Sequence, residues 1–346
     1  MKKILFTGGG SAGHVQPNIA IMEDLIINGE AELCYMGSDG IEKKLVAPLK
    51  IPYFIIDPPK LKRSVCFSNL KIPFAFKKAI EKAQEGLRAF QPSLVFSKGG
   101  FVSLPVVVAA HKMGIPCLTH ESDLSAGLAN KLMARRCEKI LTSFPETADK
   151  FKNGKFVGSP LRSSLFGRDR AAARKKYGFL EFSERKTLLV FGGGSGSRKL
   201  NEALFQALPV LSKSYDILHL CGAGNGVFCK YKGYVQKEFE TDMGSAYAAC
   251  DLVVSRAGSN TAFEILALKK PALFVPLGKE SRGDQAENAA YFEKKGLARV
   301  LPENKLSCLA EEIAKTLADE QMQERIALSD FSGGNVRILR EIRRYL

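Results

Sequence analysis

The sequence predicts an α/β protein of two Rossmann-like domains, with parallel sheets facing a central cleft that holds the ligand. Three observations predict it. First, Lys3-Ile4-Leu5-Phe6-Thr7 runs into Gly8-Gly9-Gly10-Ser11-Ala12-Gly13-His14, and Leu188-Leu189-Val190-Phe191 runs into Gly192-Gly193-Gly194-Ser195-Gly196-Ser197. One device, an apolar strand, a glycine turn and an amphipathic helix (19–27 and 200–211), thus occurs twice, about half the chain apart. Second, short apolar runs alternate with helical stretches throughout, the rhythm of parallel sheets covered by helices on both faces. Third, 346 residues at 45% hydrophobic and 25% charged suffice for two buried cores.

In order, the strand-like runs are 3–7, 33–36, 53–56, 94–97, 106–110, 116–119 and 139–143, then 187–191, 217–221, 252–255 and 272–275. The pattern resets after Gly158-Ser159-Pro160, where a charged stretch (168–176) precedes the second strand and glycine turn. The expected domains are therefore 1–160 and 161–331. Beyond Ser332-Gly333-Gly334, Ile338, Leu339, Ile342 and Leu346 recur at helical spacing, so 332–346 reads as a terminal helix able to pack back on the first domain. Glycines after each first strand let the chain turn tightly and leave N–H groups to face an anion at a helix N-terminus.

Composition excludes several classes. No apolar run reaches the ~18 residues of a membrane span, and Met-Lys-Lys followed directly by a strand does not read as a secretory signal. Eight scattered cysteines, without a C-x-x-C pair or a histidine cluster, argue against zinc and against a disulfide framework, and suit a cytosolic chain. The formal charge of +15 concentrates in residues 60–88, where Lys60, Lys62, Arg63, Lys71, Lys77, Lys78, Lys82 and Arg88 face only Glu81 and Glu85. Phe67, Phe74 and Phe76 interleave with these cations, a mixture that suits anionic lipid headgroups, or else a solvated helix face. Lys71, Phe74, Phe76, Lys77 and Lys78 are the membrane candidates. No RNA-binding or helix-turn-helix signature accompanies the charge, so nucleic acid is not an expected partner.

In doubly wound sheets the ligand lies outside the carboxyl ends of the strands. Those stations carry His14; Ser97-Lys98-Gly99-Gly100-Phe101; His120-Glu121-Ser122-Asp123; the second glycine turn; Ser255-Arg256-Ala257-Gly258-Ser259-Asn260-Thr261 with Glu264; and Asp284-Gln285 with Asn288. His14, just after a glycine turn, is a candidate acid–base group. Ser259 suits a helix N-cap, and Glu264, a turn later, can accept two sugar hydroxyls. His111 and His219, in apolar surroundings, read as core residues. Neither turn matches G-x-x-x-x-G-K-[ST], which disfavours a P-loop NTPase, and a strict G-x-G-x-x-G with a following acid is missing. No Asp-x-Asp occurs, so a metal-bound sugar nucleotide is not implied; helix N-termini and Arg162 can stabilise a departing diphosphate instead. No cofactor is expected.

Taken in order, these stations resemble the MurG family of transferases, which add N-acetylglucosamine to undecaprenyl-linked muramyl-pentapeptide in peptidoglycan synthesis. The resemblance runs from Thr7 to Asn288, through Gly-Gly-Gly-Ser-Ala-Gly-His at 8–14, Gly-Gly-Phe-Val-Ser at 99–103, His-Glu-Ser-Asp at 120–123 and Gly-Leu-Ala-Asn-Lys at 127–131. It continues through Gly-Ser-Pro-Leu-Arg at 158–162, Ser-Arg-Ala-Gly-Ser-Asn-Thr at 255–261, Glu264, and Asp284-Gln285 with Asn288. It implies a GT-B fold, UDP-N-acetylglucosamine on the C-terminal domain, and the lipid acceptor on the N-terminal domain at the cytoplasmic face of an anionic membrane. It also implies that Arg162, Gly194 and Ser195 face the diphosphate, Glu264 the ribose, Gln285 the sugar hydroxyls, and the backbone near Glu240 the uracil. Ser259, Asn260, Thr261, Asp284 and Asn288 fall in the same donor motifs. Ser11, Ala12, Gly13 and His14 would approach donor sugar and acceptor from the other side, with His14 or Glu121 as the base of an inverting transfer. Three departures stand out. The family's second turn usually reads Gly-Gly-Ser-x-Gly-Ala, so a side-chain contact is lost at Gly194 or moves to Ser195. Many members have Glu-Gln-Asn at 121–123, so Asp123 turns an amide contact into a carboxylate contact. Phe101 replaces a tyrosine of some members. Two alternatives stay open: a related enzyme acting on another lipid such as diacylglycerol, and a non-catalytic sugar-nucleotide-binding protein.

Overall fold

The structure, a computed structural model, describes residues 2–58, 72–278 and 283–346. They divide into two compact units, Met1–Arg162 with Ser332–Leu346, and Ser163–Phe331.

The first unit contains β1 (Lys3–Thr7), α1 (Gln16–Ile27), β2 (Glu32–Gly37), α2 (Ile41–Val46), β3 (Tyr53–Ile55), α3 (Ile72–Phe90) and β4 (Leu94–Ser97). It continues with α4 (Ser103–Lys112), β5 (Cys117–Glu121), α5 (Leu128–Ala134), β6 (Lys139–Thr142), α6 (Pro145–Ala148) and β7 (Gly154–Phe156). Its sheet has the order β3-β2-β1-β4-β5-β6-β7 and is parallel throughout. Successive side chains of a strand point to opposite faces, so β1 feeds two cores. Ile4 and Phe6 join Ile19, Met22 and Leu25 of α1, whereas Leu5 joins Ala83 and Leu87 of α3 and Val106 and Ala110 of α4.

The second unit contains α7 (Arg170–Lys176), β8 (Thr187–Phe191), α8 (Arg198–Ser214), β9 (Asp216–Leu220), β10 (Tyr234–Lys237), α9 (Met243–Ala249) and β11 (Leu252–Ser255). After these come α10 (Ser259–Ala267), β12 (Ala272–Phe274), α11 (Asp284–Lys294), β13 (Arg299–Val300), α12 (Leu309–Leu317) and α13 (Glu320–Leu328). The order β10-β9-β8-β11-β12-β13 is again all parallel. The chain then returns to the first unit as α14 (Gly334–Ile342). Ile338, Leu339 and Ile342 enter the core beneath α1, and Asn335 clamps the Leu161 N–H (2.7 Å) and C=O (2.9 Å) and reaches Asp24 (2.7 Å).

Several local readings change. The apolar run 106–110 is helical, inside α4: Gly99 and Gly100 adopt positive φ (86° and 85°) and end β4, and the run that follows is buried as helix. A short apolar run does not distinguish a buried strand from a buried helix. β7, β10 and β13 carry too few apolar residues to signal a strand; each lies at a sheet edge, where less of it need be buried. His111 is exposed in the last turn of α4, where a helix C-terminus favours a basic side chain. His219 is fully buried.

Candidate functional site

In each sheet the chain winds outward first to one side and then to the other. The reversal falls between β8 and β11 in the second unit and between β1 and β4 in the first. Such switch points open a crevice at the strands' carboxyl ends, and both glycine turns sit there.

In the second unit the turn after β8 is held tightly at one end and open at the other. Gly196 has φ +75°, and a Cβ there would overlap the Cys221 carbonyl, whereas one at Gly194 would meet nothing within 4 Å. Ser197 caps α8 by accepting from the Leu200 N–H (3.5 Å) and also accepts from Arg256 (2.6 Å). Arg256, 6% exposed, further donates to the carbonyls of Val275 (3.0 Å) and Pro276 (3.3 Å) and to Glu303 (2.7 Å). Glu303 also receives Lys199 at 2.8 Å; burial works to raise its pKa, but Lys199 and Arg256 hold it below the usual carboxylate value. These groups enclose a cavity of about 410 Å³, with Gly192, Gly278 and Gln285 on its wall. Three cations (Arg198, Lys199, Arg256) against one carboxylate, at the N-terminus of the long α8, make it an anion cradle. Arg256 and Glu303 were not singled out by the sequence reading. The signal for Arg256 lay inside the 255–261 motif; Glu303 comes from a distant loop and gave none.

The other donor candidates gather around the same strand ends. Ser259 opens α10 and is buried, with Asn260 and Thr261 half-buried beside it. Glu264 accepts from the Tyr247 hydroxyl at 3.1 Å. Gln285 accepts from the Leu277 N–H at 3.1 Å, which leaves its amide NH₂ as a donor group. Asn288 is fully buried and donates to the Ala257 carbonyl (3.4 Å), a structural tie between α11 and the turn before α10. Asp284 is the first residue of α11. Glu240 is buried and pinned by Lys237 (2.5 Å), the Asp242 N–H (2.9 Å) and Tyr177 (3.1 Å); burial opposes ionisation, yet these partners carry its pKa below normal. Its side chain is thus committed to shaping the backbone turn. Gly194 and Ser195 are exposed. Arg162 belongs to the first unit, where its charge acts on Glu23; burial raises that carboxyl and Arg162 opposes the rise.

In the first unit the glycine turn behaves differently. The Gly10 N–H is directed to buried Glu42 at 3.4 Å, and Glu42 also accepts the Ser38 N–H (2.9 Å) and hydroxyl. Glu42 thus takes up the Gly10 N–H of this turn. Gly8 to Gly10 are set by close approach: a Cβ at Gly10 would lie 2.5 Å from the Phe101 ring, and one at Gly100 would lie 2.6 Å from the Gly9 carbonyl. The turns after β1 and β4 are thus packed on one another. Ser11, Ala12, Gly13 and His14 form a short helical turn there, with Ser11 Oγ 2.9 Å from His14 Nδ1.

Glu121 is buried, and both oxygens are in use. One accepts the Asp123 N–H (3.0 Å); the other accepts the Gly127 N–H (2.9 Å) and the Asn130 amide (2.8 Å). Burial and Asp123 raise its pKa, and these hydrogen bonds oppose the rise. His120 Nε2 donates to the Gly158 carbonyl at 2.9 Å, and burial keeps the ring neutral, its pKa well below normal. Of the membrane candidates, Phe74 is 77% exposed and Lys77 and Lys78 are exposed on α3. Phe76 packs against the core with Phe54, which corrects its expected outward placement. Lys71 lies outside the described residues, as does the rest of the basic segment from Lys60 to Leu70. Among the described residues no helix is long and apolar enough to cross a membrane.

Two domain families match the chain: the glycosyltransferase family 28 N-terminal domain over residues 4–142 and the glycosyltransferase family 28 C-terminal domain over residues 187–332. The UDP-N-acetylglucosamine--N-acetylmuramyl-(pentapeptide) pyrophosphoryl-undecaprenol N-acetylglucosamine transferase of Clostridium kluyveri is 44% identical over 314 residues, 89% of this chain and 88% of that protein. The protein of the same name from Clostridium novyi is 42% identical over 332 residues, 93% of this chain and 91% of that one. In fold, the crystal structure of Acinetobacter baumannii MurG has a TM-score of 0.76 at 23% identity, covering 99% of this chain and 100% of that one. The calicheamicin glycosyltransferase CalG4 has a TM-score of 0.72 at 16% identity, covering 100% and 98%. Paired parallel sheets and paired family 28 domains define a glycosyltransferase of the GT-B class. Within that class, the chain belongs to the family of UDP-N-acetylglucosamine--N-acetylmuramyl-(pentapeptide) pyrophosphoryl-undecaprenol N-acetylglucosamine transferases, the MurG family.

Proposed function

We propose that the chain transfers N-acetylglucosamine from UDP to the 4-hydroxyl of undecaprenyl-pyrophosphoryl-muramyl-pentapeptide, inverting the sugar's anomeric centre, in peptidoglycan synthesis. The observation that carries this reading is the cationic cavity at the second unit's switch point, in a chain 44% identical to enzymes of that name. The donor's diphosphate is assigned to the N-terminus of α8 with Lys199 and Arg256, whose positive charge stabilises the leaving UDP. Glu264 takes the ribose hydroxyls, with Tyr247 holding one carboxylate oxygen in place. The Gln285 amide meets the sugar hydroxyls, and the turn shaped by Glu240 meets the uracil. Arg162 remains a candidate for stabilising the departing diphosphate.

The acceptor is assigned to the first unit. His14 is the proposed base: with Nδ1–H donating to Ser11 Oγ, Nε2 carries the lone pair that removes the hydroxyl proton. Glu121, with three hydrogen bonds already accepted, serves the loop instead. Exposed Phe74, Lys77 and Lys78 are assigned to the anionic cytoplasmic face of the membrane, where the enzyme binds peripherally and meets its lipid substrate. Co-sedimentation with anionic vesicles at low salt should be lost in a Phe74→Ser, Lys77→Glu, Lys78→Glu variant; retention equal to wild type would remove α3 from the membrane site.

Release of UDP from UDP-N-acetylglucosamine, followed with and without the undecaprenyl-linked acceptor, tests the function. The expected result is acceptor-dependent release. Equal release with diacylglycerol would favour a different lipid glycosyltransferase, and binding without release would favour a non-catalytic protein.

A further inference from the structure

Glu303 opens the short helical turn Glu303–Cys308 before α12, and it stands in the wall of the cationic cavity, the one carboxylate among the described residues there. Each of its oxygens holds a cation: Oε1 accepts from Arg256 at 2.7 Å and Oε2 from Lys199 at 2.8 Å. The two cations are held unequally. Arg256 is buried, and the carbonyls of Val275 and Pro276 and the Ser197 hydroxyl also fix its guanidinium, by contacts that do not depend on the charge at position 303. Lys199 lies in the first turn of α8, its side chain 54% exposed on a flexible stem, so its ammonium can turn from one anion to another. Arg198, the third cation, points to Glu202 one turn further along α8, at 2.9 Å. An anion entering the cavity therefore meets a carboxylate already paired with Lys199, and like charges at such short range repel.

We propose that Glu303 is a positioning residue that sets the release of UDP: it competes with the diphosphate for Lys199 and holds down the positive charge of the cavity. The inference rests on the cavity being the diphosphate site. Lys199 turns to the diphosphate when the donor binds and returns to Glu303 as UDP departs, so the ion pair lost on binding is regained on release. No contact of Glu303 with the sugar or the reacting atoms is required. A carboxylate that only fastened the two cations would act in the opposite direction, because its loss would loosen the cradle and weaken UDP binding.

The test compares Glu303→Gln, Glu303→Ala and Lys199→Met with the wild-type full chain, each checked for wild-type circular dichroism, with UDP and uridine as probes in titration calorimetry and stopped flow. Glutamine keeps an oxygen for Arg256 and removes the charge. On the scale of a partly exposed ion pair, Glu303→Gln should bind UDP roughly fivefold more tightly at low salt, with the UDP dissociation rate reduced by the same factor. Glu303→Ala should act in the same direction. The gain should shrink in about 1 M salt, where screening shortens to about 3 Å. Uridine, which lacks the phosphates, should bind the variants and the wild type alike. Lys199→Met should weaken UDP binding, again roughly fivefold. Unchanged or weaker UDP binding in Glu303→Gln and Glu303→Ala would overturn the role of Glu303; if Lys199→Met also left it unchanged, the cavity as the diphosphate site would fall with it. Tighter binding in Glu303→Gln without any loss in Lys199→Met would overturn the exchange at Lys199. Equal tightening of uridine would show that the effect does not come from the phosphates, and would overturn the proposal as well.

Discussion

Replacing Gly194 by serine should strengthen UDP binding without disturbing the fold. A Cβ at this position meets nothing within 4 Å and the residue does not need positive φ, so the substitution carries no steric penalty. Restricting a glycine in an allowed conformation even stabilises by about 0.4–1 kcal/mol, through the unfolded chain. The new hydroxyl sits in the turn that leads into α8, beside the cavity assigned to the diphosphate. One added hydrogen bond contributes about 0.5–1.5 kcal/mol net, which is roughly two- to tenfold in affinity. Gly196→Ala is the contrasting control. Its Cβ would lie 2.9 Å from the Cys221 carbonyl carbon and 3.0 Å from Gly222 Cα, at φ +75°. Left-handed backbone costs a non-glycine residue about 1–2 kcal/mol and the overlap about 1–3 kcal/mol more, so a loss of about 2–5 kcal/mol is expected. Urea unfolding measures the two stabilities and isothermal titration with UDP measures the affinity. A well-folded Gly194→Ser protein whose UDP affinity is unchanged or weaker would refute the placement of the diphosphate at this turn.

Three further outcomes follow from the same structure. Glu264→Ala removes the carboxylate held by Tyr247, and hydrogen bonds to charged groups are worth about 1.5–3 kcal/mol each, so UDP affinity should fall at least tenfold; equal affinity in titration calorimetry would take Glu264 out of the site. Turnover should persist in EDTA, since helix N-termini and cations carry the diphosphate charge; loss of turnover restored by magnesium or manganese would contradict that. His219, bonded between Asn201 and Tyr234, has its pKa lowered by burial to about 4, so the unfolded chain binds its proton first and stability falls as pH drops from about 6.5 towards 4. Between pH 7 and 5 this contributes about 2 kcal/mol of lost stability. A His219→Gln variant should flatten the dependence of the urea midpoint by that amount, and an unaltered slope would show that the ring titrates normally in the fold.

What was legible in the sequence was whatever local pattern controls. β1 and β8 are central strands buried along their length, so their apolar runs and the glycines after them signal both switch points. The edge strand β10, with Gln236 and Lys237, is paired on one side only and carries no such signal. Gln285, which lines the cavity from within a motif, was visible. Residues defined by a distant partner were not. Glu42 reaches Gly10 across 32 positions, and Arg256 meets Glu303 across 47. The contacts of Glu42 and Glu303 exist only after folding brings strand ends together. Phe76 shows the converse: the basic and apolar mixture around it was legible, but which aromatic faces the core depends on helical phase against β-sheet neighbours.

The most direct test of the central claim is the structure of the reaction product. The protein, UDP-N-acetylglucosamine and the undecaprenyl-linked muramyl-pentapeptide should yield one UDP per disaccharide. Proton and carbon NMR of that disaccharide should show N-acetylglucosamine joined through a β-linkage to the 4-hydroxyl of the muramyl sugar, inverted from the α-configured donor. An α-linkage, attachment at another hydroxyl, or free N-acetylglucosamine in place of a disaccharide would contradict the account.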